Sequence, residues 1–190
     1  MTTALLYGSV RSERQGIKAA KYFQQQLIDR GHKVNFIDPL EFPLPLLDKM
    51  YKEYKNNDAP EVMEKIASQL READGFVVVT GEYNHGIPPA LKNTLDHFQK
   101  EYFFKPSAIV SYSAGRFGGV RSAVHLRVIL AELGTSSIPS MQPIPKVGQA
   151  FTEDGAPTED YINKSSKRFL DEYEWYLKAL KAQREQGLPY

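Results

Sequence analysis

The chain has 190 residues, with 24 Lys plus Arg against 23 Asp plus Glu, a formal net charge of +1 and no cysteine. That length matches a single domain, residues 1–190, with a substantial core, and the balanced charge excludes a surface built to neutralise many phosphates, so no nucleic-acid partner is expected. Without cysteine there is no disulfide, thiolate chemistry or Cys-ligated metal; with no basic leader in MTTALLYGSV and no run of spanning length, the expectation is a soluble cytoplasmic protein that does not enter membranes.

In chain order, the apolar run Ala4 to Tyr7 predicts a first strand, and Ile17, Ala20, Phe23 and Leu27 at steps of three and four predict a helix that Gly31 closes. Val34 to Ile37 reads as a second strand, residues 61–73 as a helix on Val62, Ile66 and Leu70, and Phe76 to Val79 as a third strand. Residues 88–98 form a helix opened by proline, Ala108 to Val110 a fourth strand, and Val120 to Leu133 a helix with Val124, Val128 and Ala131 on one side. Ser136 to Ile138 reads as a short fifth strand. From Thr158 to Gln183 a last helix lines up Ile162, Ser166, Phe169, Tyr173, Leu177 and Leu180, a face that must pack on the body or on a partner. Between these elements, residues 39–60 hold several prolines and a charged, Tyr-containing stretch, the pattern of a long surface loop that covers a site.

Strands that alternate with helices and are apolar without a period of two are buried on both faces. The expected fold is therefore α/β: a flavodoxin-like, doubly wound, five-stranded parallel sheet in the order 2-1-3-4-5 with helices on both faces. In such a sheet the ligand lies beyond the carboxyl ends of the strands, where strand order reverses, which directs attention to the loops after strands 1, 3 and 4.

The first of these, GSVRSERQG, offers the hydroxyls of Ser9 and Ser12, the charges of Arg11 and Arg14 and the free N–H groups of a helix start, a set suited to phosphate. The same residues also suit an N-capped surface helix with solvated arginines. The loop is neither a Walker A sequence nor a Gly-x-Gly-x-x-Gly fingerprint. After the third strand, Glu82, Tyr83, Asn84, His85 and Gly86 present an edge of donors and acceptors that Pro88 and Pro89 stiffen, suited to a flat heterocycle. In the fourth-strand loop Gly115, Gly118 and Gly119 permit positive φ and close backbone approach, although ordinary turn chemistry accounts for glycines equally well.

Together Gly8-Ser9-x-Arg11-x-x-Arg14-x-Gly16, Glu82-Tyr83-Asn84-His85-Gly86-x-Pro88-x-x-Leu91-Lys92-Asn93-x-x-Asp96 and Ser113-x-Gly115-x-x-Gly118-Gly119-x-Arg121 resemble the NADPH-dependent FMN reductase family of flavodoxin-like quinone, azo and chromate reductases. The resemblance covers residues 4 to about 140. It implies FMN with its phosphate on Ser9, Arg11, Arg14, Gln15 and Gly16, its ring lined by Glu82, Tyr83, Asn84 and His85, and its pyrimidine edge at Ser113 and Gly115. It also implies NADPH or NADH as co-substrate, a small-molecule electron acceptor, and a homodimer or homotetramer built on the helices after strands 3 and 4. The chemistry belongs to the flavin, so no side chain is assigned as catalytic and no metal is expected. Where the family commonly has proline before Glu-Tyr-Asn, this chain has Gly81.

Other chemistries are poorly supported. None of His32, His85, His97 and His125 has metal-ligand spacing, and Asp96 and His97, adjacent on a helix, point about a hundred degrees apart and make a poor relay with Ser9. A flavodoxin-like FMN electron carrier, or a redox-sensing partner-binding protein, is the alternative in the same fold, although carriers of that kind resemble acidic shuttles and this chain is charge-balanced.

Overall fold

The computed structural model describes residues 1–55 and 58–190. Its elements run β1 (Thr2–Tyr7), α1 (Gly16–Asp29), β2 (Lys33–Ile37), α2 (Glu61–Glu72), β3 (Gly75–Gly81), α3 (Pro89–Asp96), β4 (Pro106–Tyr112), α4 (Val120–Glu132), β5 (Ser136–Ile144) and α5 (Asp160–Arg184). The strands pair in parallel in the order β2-β1-β3-β4-β5, the expected doubly wound sheet.

Successive strand residues face opposite ways, so the sheet divides the interior into two cores. Leu5, Tyr7, Val77, Val79, Ala108, Val110 and Tyr112 pack against α1 and α5. Ala4, Leu6, Phe76, Val78 and Ile109 pack against α2, α3 and α4. The stripes expected on α1, α2 and α5 are the ones that pack: Ala20, Phe23 and Leu27, then Ile66 and Leu70, then Ile162, Ser166, Phe169, Tyr173 and Leu177, are all buried.

On helix α4 the apolar side picked out in the sequence is not the one that packs. Ala123, Leu126 and Leu130 face the sheet, while Val124 and Val128 stay 57% and 68% exposed and Ala131 is exposed as well. Both stripes are apolar, so periodicity alone does not choose between them; polar contacts at the helix start do. Ser122 Oγ donates to the carbonyl of Gly81 at 2.8 Å and lies 3.1 Å from Thr80 Oγ1, and Glu82 accepts from the N–H groups of Arg121 and Ser122.

The fifth strand runs to Ile144, well past the expected Ile138. Pro139 and Pro143 hide it in the sequence, but on an edge strand a missing N–H costs little, and a register shift opposite Ser107 and Ile109 absorbs the irregularity. The described part of the long 39–60 loop is tied to α3: Asn93 donates to the carbonyl of Pro45 at 2.8 Å and accepts from the N–H of Leu47 at 3.0 Å, and the N–H of Tyr51 donates to the carbonyl of His97 at 2.8 Å. Among the described residues no helix is long and apolar enough to cross a membrane.

At the far end of the sheet, Lys105 Nζ donates to the carbonyls of Leu70 and Arg71 at 2.7 and 3.1 Å and so caps α2. Burial lowers its pKa from 10.5 to about 8. Between pH 8 and 10.5 the unfolded chain then binds more protons than the folded one, so stability rises with pH across that window, falls back as pH drops from 10.5 to 8, and has lost the gain below 8. Urea unfolding is expected to show a gain on the order of 1 kcal/mol between pH 7.5 and 9.5, discounted for water reaching the ammonium, and Lys105→Met is expected to abolish it. A parent profile flat over that range refutes the assignment.

Candidate functional site

The carboxyl ends of β1, β3 and β4 open into a cavity of about 630 Å³, within the usual range for a small-molecule site. Its wall includes Ser9, Arg11, Arg14, Gln15 and Gly16 from the first loop, Glu82 and Tyr83 from the second, and Ser113 from the third. The order of strands creates this cleft: β1 lies between β2 and β3, and strand order reverses there, with β2 on one side and β3, β4 and β5 on the other.

Tyr112, the last residue of β4, shapes the floor. Its ring stacks on Tyr7 at 6.3 Å between centroids, and its hydroxyl donates to the Tyr7 hydroxyl at 3.3 Å. Burial pushes both phenols above their ordinary pKa. A Cβ on Gly16 would lie 2.1 Å from Tyr112 Cζ, and one on Gly81 would lie 3.1 Å from the same ring. Glycine at 16 is therefore a matter of space, and Gly81 leaves room for the hydroxyl edge of the ring.

In the first loop the two arginines differ. Arg14 Nη1 donates to Asp38 Oδ1 at 2.5 Å and to the Ser9 carbonyl at 3.1 Å, and its guanidinium sits 5.3 Å from the Tyr7 ring centre. Asp38 is only 1% exposed, and its hydrogen bond holds the Arg14 pKa above its ordinary value. Arg14 thus lines the cavity while its charge is already matched; it ties the loop to the end of β2. Arg11 is exposed, lines the same cavity and, among the described residues, has no carboxylate within ion-pair distance. Among the described residues no acceptor takes the backbone N–H groups of residues 12–16. One unmatched guanidinium beside a row of free N–H groups at a helix start fits a phosphate.

The second loop is a tight turn. The N–H groups of Tyr83 and Gly86 each donate to the other's carbonyl at 3.0 Å, with Asn84 and His85 at φ of 49° and 67°, the left-handed pair that a type I′ turn requires. The turn aims Tyr83 inward, its hydroxyl 2.9 Å from Ser9 Oγ, and leaves Asn84 and His85 exposed at the tip, outside the cavity wall. Glu82 lines the cavity with its carboxylate committed to the start of α4, where Arg121 also reaches it at 3.4 Å. In the third loop Gly118 and Gly119 have the expected positive φ, whereas Gly115 does not, and a Cβ there would meet nothing. Gly115 stands outside the cavity wall, and its carbonyl accepts from the N–H of Lys146 at 3.0 Å.

That last contact brings in a fourth segment. Lys146, Val147, Gly148 and Gln149, just beyond β5, complete the cavity with Tyr112, Ala114 and Glu13. Sequence reasoning misses the segment because the strand, cut short at Ile138, leaves 145–149 as an unplaced loop; the Pro143-Ile144-Pro145 run before a lysine and a glycine was the available signal. The 39–60 loop, by contrast, contributes no described residue to the cavity wall.

Residues 1–148 match the NADPH-dependent FMN reductase family. A 2-hydroxy-1,4-benzoquinone reductase from a Burkholderia species is 32% identical over 139 residues, covering 68% of this chain and 70% of that enzyme. Escherichia coli quinone reductase is 42% identical over 78 residues, a match that spans 39% of this chain and only 42% of that enzyme. Among solved structures, the flavoenzyme NAD(P)H:acceptor oxidoreductase from Paracoccus denitrificans superimposes with a TM-score of 0.75 at 24% identity, over 94% of this chain and 97% of that one.

The packing of Tyr112 against the first loop carries a testable consequence. Gly16→Ala is expected to cost roughly 1–3 kcal/mol through overpacking, and a double-mutant cycle with Tyr112→Leu to show a coupling of about 1 kcal/mol or more, read from urea midpoints. Additive effects would mean that the ring does not press on the loop.

Proposed function

Because the chain belongs to the NADPH-dependent FMN reductase family, we propose that its 190 residues form one cytoplasmic domain that carries two electrons from NADPH or NADH, through FMN, to a small acceptor of the quinone class. Its enzyme class is that of the family, an NAD(P)H-dependent, FMN-containing oxidoreductase. Azo compounds, free flavin and metal oxyanions are the other acceptors such chemistry admits. The observation that carries the proposal is the strand-end cavity, whose wall combines free N–H groups and Arg11 with Tyr83, Tyr112 and Ser113.

FMN, when bound, supplies the redox chemistry, and the protein supplies position and electrostatics. Arg11 and the N–H groups of residues 12–16 hold the phosphate, with the Ser9 hydroxyl and Gln15 beside them. Arg14 keeps that loop in place through Asp38. Tyr83 and the Ser113 segment flank the ring, and the turn at Lys146–Gln149 closes the side wall. The Glu82 carboxylate is engaged by α4, and burial favours the protonated form of the Tyr7 and Tyr112 phenols, which shape the floor of the cavity.

The purified protein is expected to show a flavin absorption pair at one FMN per chain and to oxidise NADPH with a quinone, giving parallel double-reciprocal lines as donor and acceptor use one flavin face in turn. Arg11→Ala is expected to weaken FMN binding roughly 10- to 100-fold with the fold intact. Protein that neither takes up flavin nor consumes NADPH refutes the proposal; flavin binding without NADPH oxidation favours the electron-carrier alternative.

The assembly proposed is a homodimer or homotetramer with the faces of α3 and α4 at the interface. Its support is the apolar stripe that α4 presents outward, Val124 at 57% and Val128 at 68% exposed with Phe117 at 50% nearby in sequence. Val124→Asp with Val128→Asp is expected to yield monomers by light scattering with little change in thermal stability per chain. A parent that is monomeric at micromolar concentration refutes the interface.

A further inference from the structure

A second recess, of about 340 Å³, adjoins the cavity described above and shares two residues with it, Lys146 and Gln149. Its other walls include Arg116 from the loop after β4, and Glu159 and Tyr161 at the start of α5. The turn Pro145–Ala150 stands between the two spaces, with Lys146 lining both.

Lys146 is held in an unusual conformation. Its φ is 45°, in the left-handed region that a side chain bearing a Cβ rarely adopts. Its N–H donates to the Gly115 carbonyl at 3.0 Å and its own carbonyl accepts from the N–H of Gln149 at 2.8 Å, so the backbone is pinned on both sides. Strained backbone of this kind persists where the surroundings enforce it and clusters at binding sites. Neither Lys146 nor Arg116 has a carboxylate within ion-pair distance among the described residues, although Arg14, Lys18, Arg30, Lys33 and Arg121 are all paired. Two unmatched cations line one recess, next to a tyrosine 47% exposed.

A nicotinamide dinucleotide that places its nicotinamide over the flavin must lodge its other nucleotide beside the flavin cavity. The chain has no Gly-x-Gly-x-x-Gly fingerprint to receive it. The recess is the size of a single nucleotide site, offers an aromatic face and carries the cations a phosphate needs. Granted the reductase function proposed above, we propose that this recess takes the adenosine half of the donor, with Arg116 and Lys146 on its phosphate groups and Tyr161 against its adenine. Glu159, at the same recess, accepts from a ribose hydroxyl.

The test uses the FMN-loaded protein and, as probes, adenosine 5′-diphosphate and adenosine 2′,5′-bisphosphate, which have no nicotinamide and cannot be oxidised. Calorimetry is expected to show at least one of them binding, and Arg116→Glu to weaken that binding roughly 10- to 100-fold while FMN affinity is unchanged. In steady state the same variant is expected to raise KM for the nicotinamide donor at least 10-fold and leave kcat and the acceptor KM alone. An equal rise for NADPH and NADH assigns the cations to the bridging phosphates, and a rise for NADPH alone assigns them to its 2′-phosphate. If the parent oxidises NADPH but neither probe binds, or Arg116→Glu leaves probe affinity and donor KM unchanged, the recess is not the nucleotide site and the reductase function stands. Probe binding that Arg116→Glu removes, in a protein that oxidises neither NADPH nor NADH, overturns the reductase function and keeps the nucleotide site.

Discussion

The ring of Tyr112 is the piece on which the cavity depends. It ends β4 with its hydroxyl on Tyr7, which ends β1, and its faces and edge fill the space that side chains at Gly16 and Gly81 would need. Three chain segments from three adjacent strands are thereby held at fixed separation by one buried aromatic group. Interiors are packed too densely to yield to a misplaced methyl group. The flexible-looking composition of the loops is accordingly deceptive, since the short ones rest on a rigid floor.

Charge is apportioned in a similar way. Arg14 and Glu82 both line the cavity, and both are already engaged: Arg14 with buried Asp38, Glu82 with the first N–H groups of α4. Removing one partner of such a pair strands the other charge in a poorly solvated place. These two residues therefore hold the loops, whereas the exposed Arg11, Arg116 and Lys146 remain available to an anionic ligand. A sequence shows only that arginines lie near one another; the division between those that brace and those that bind comes from what else packs around them.

Much of the architecture was legible in the residues. Apolar runs at β1, β3 and β4, separated by amphipathic helices, lead directly to a parallel sheet because strands covered on both sides need no alternation. Legibility failed where local pattern was ambiguous or masked. Prolines 139 and 143 conceal the second half of β5, which an edge position tolerates, and with it the fourth segment of the cavity wall. On α4 two apolar stripes compete, and the choice rests on Ser122 and Glu82, contacts across tens of residues that no periodicity contains. In the second loop the residue types were informative, but the left-handed pair falls on Asn84 and His85 and not on Gly86, so the turn carries their side chains to its tip.

The setting of α4 links the cavity to the outer surface. Glu82 follows β3, lines the cavity and fixes the first turn of α4; the same contact turns Val124 and Val128 outward. Phe117, just before that helix, lies between Arg116 and Arg121, with the guanidinium carbons 4.9 and 4.8 Å from its ring centre. Cations so placed lean on the aromatic face and gain from its quadrupole. A shift of this loop therefore moves three things together: the acceptor of the Lys146 N–H at Gly115, the cation at the second recess and the edge of the apolar stripe. On the proposed interface and donor site, association of two chains over α4 would stiffen the loop beside the donor, and subunit contact and donor affinity would share one structural element.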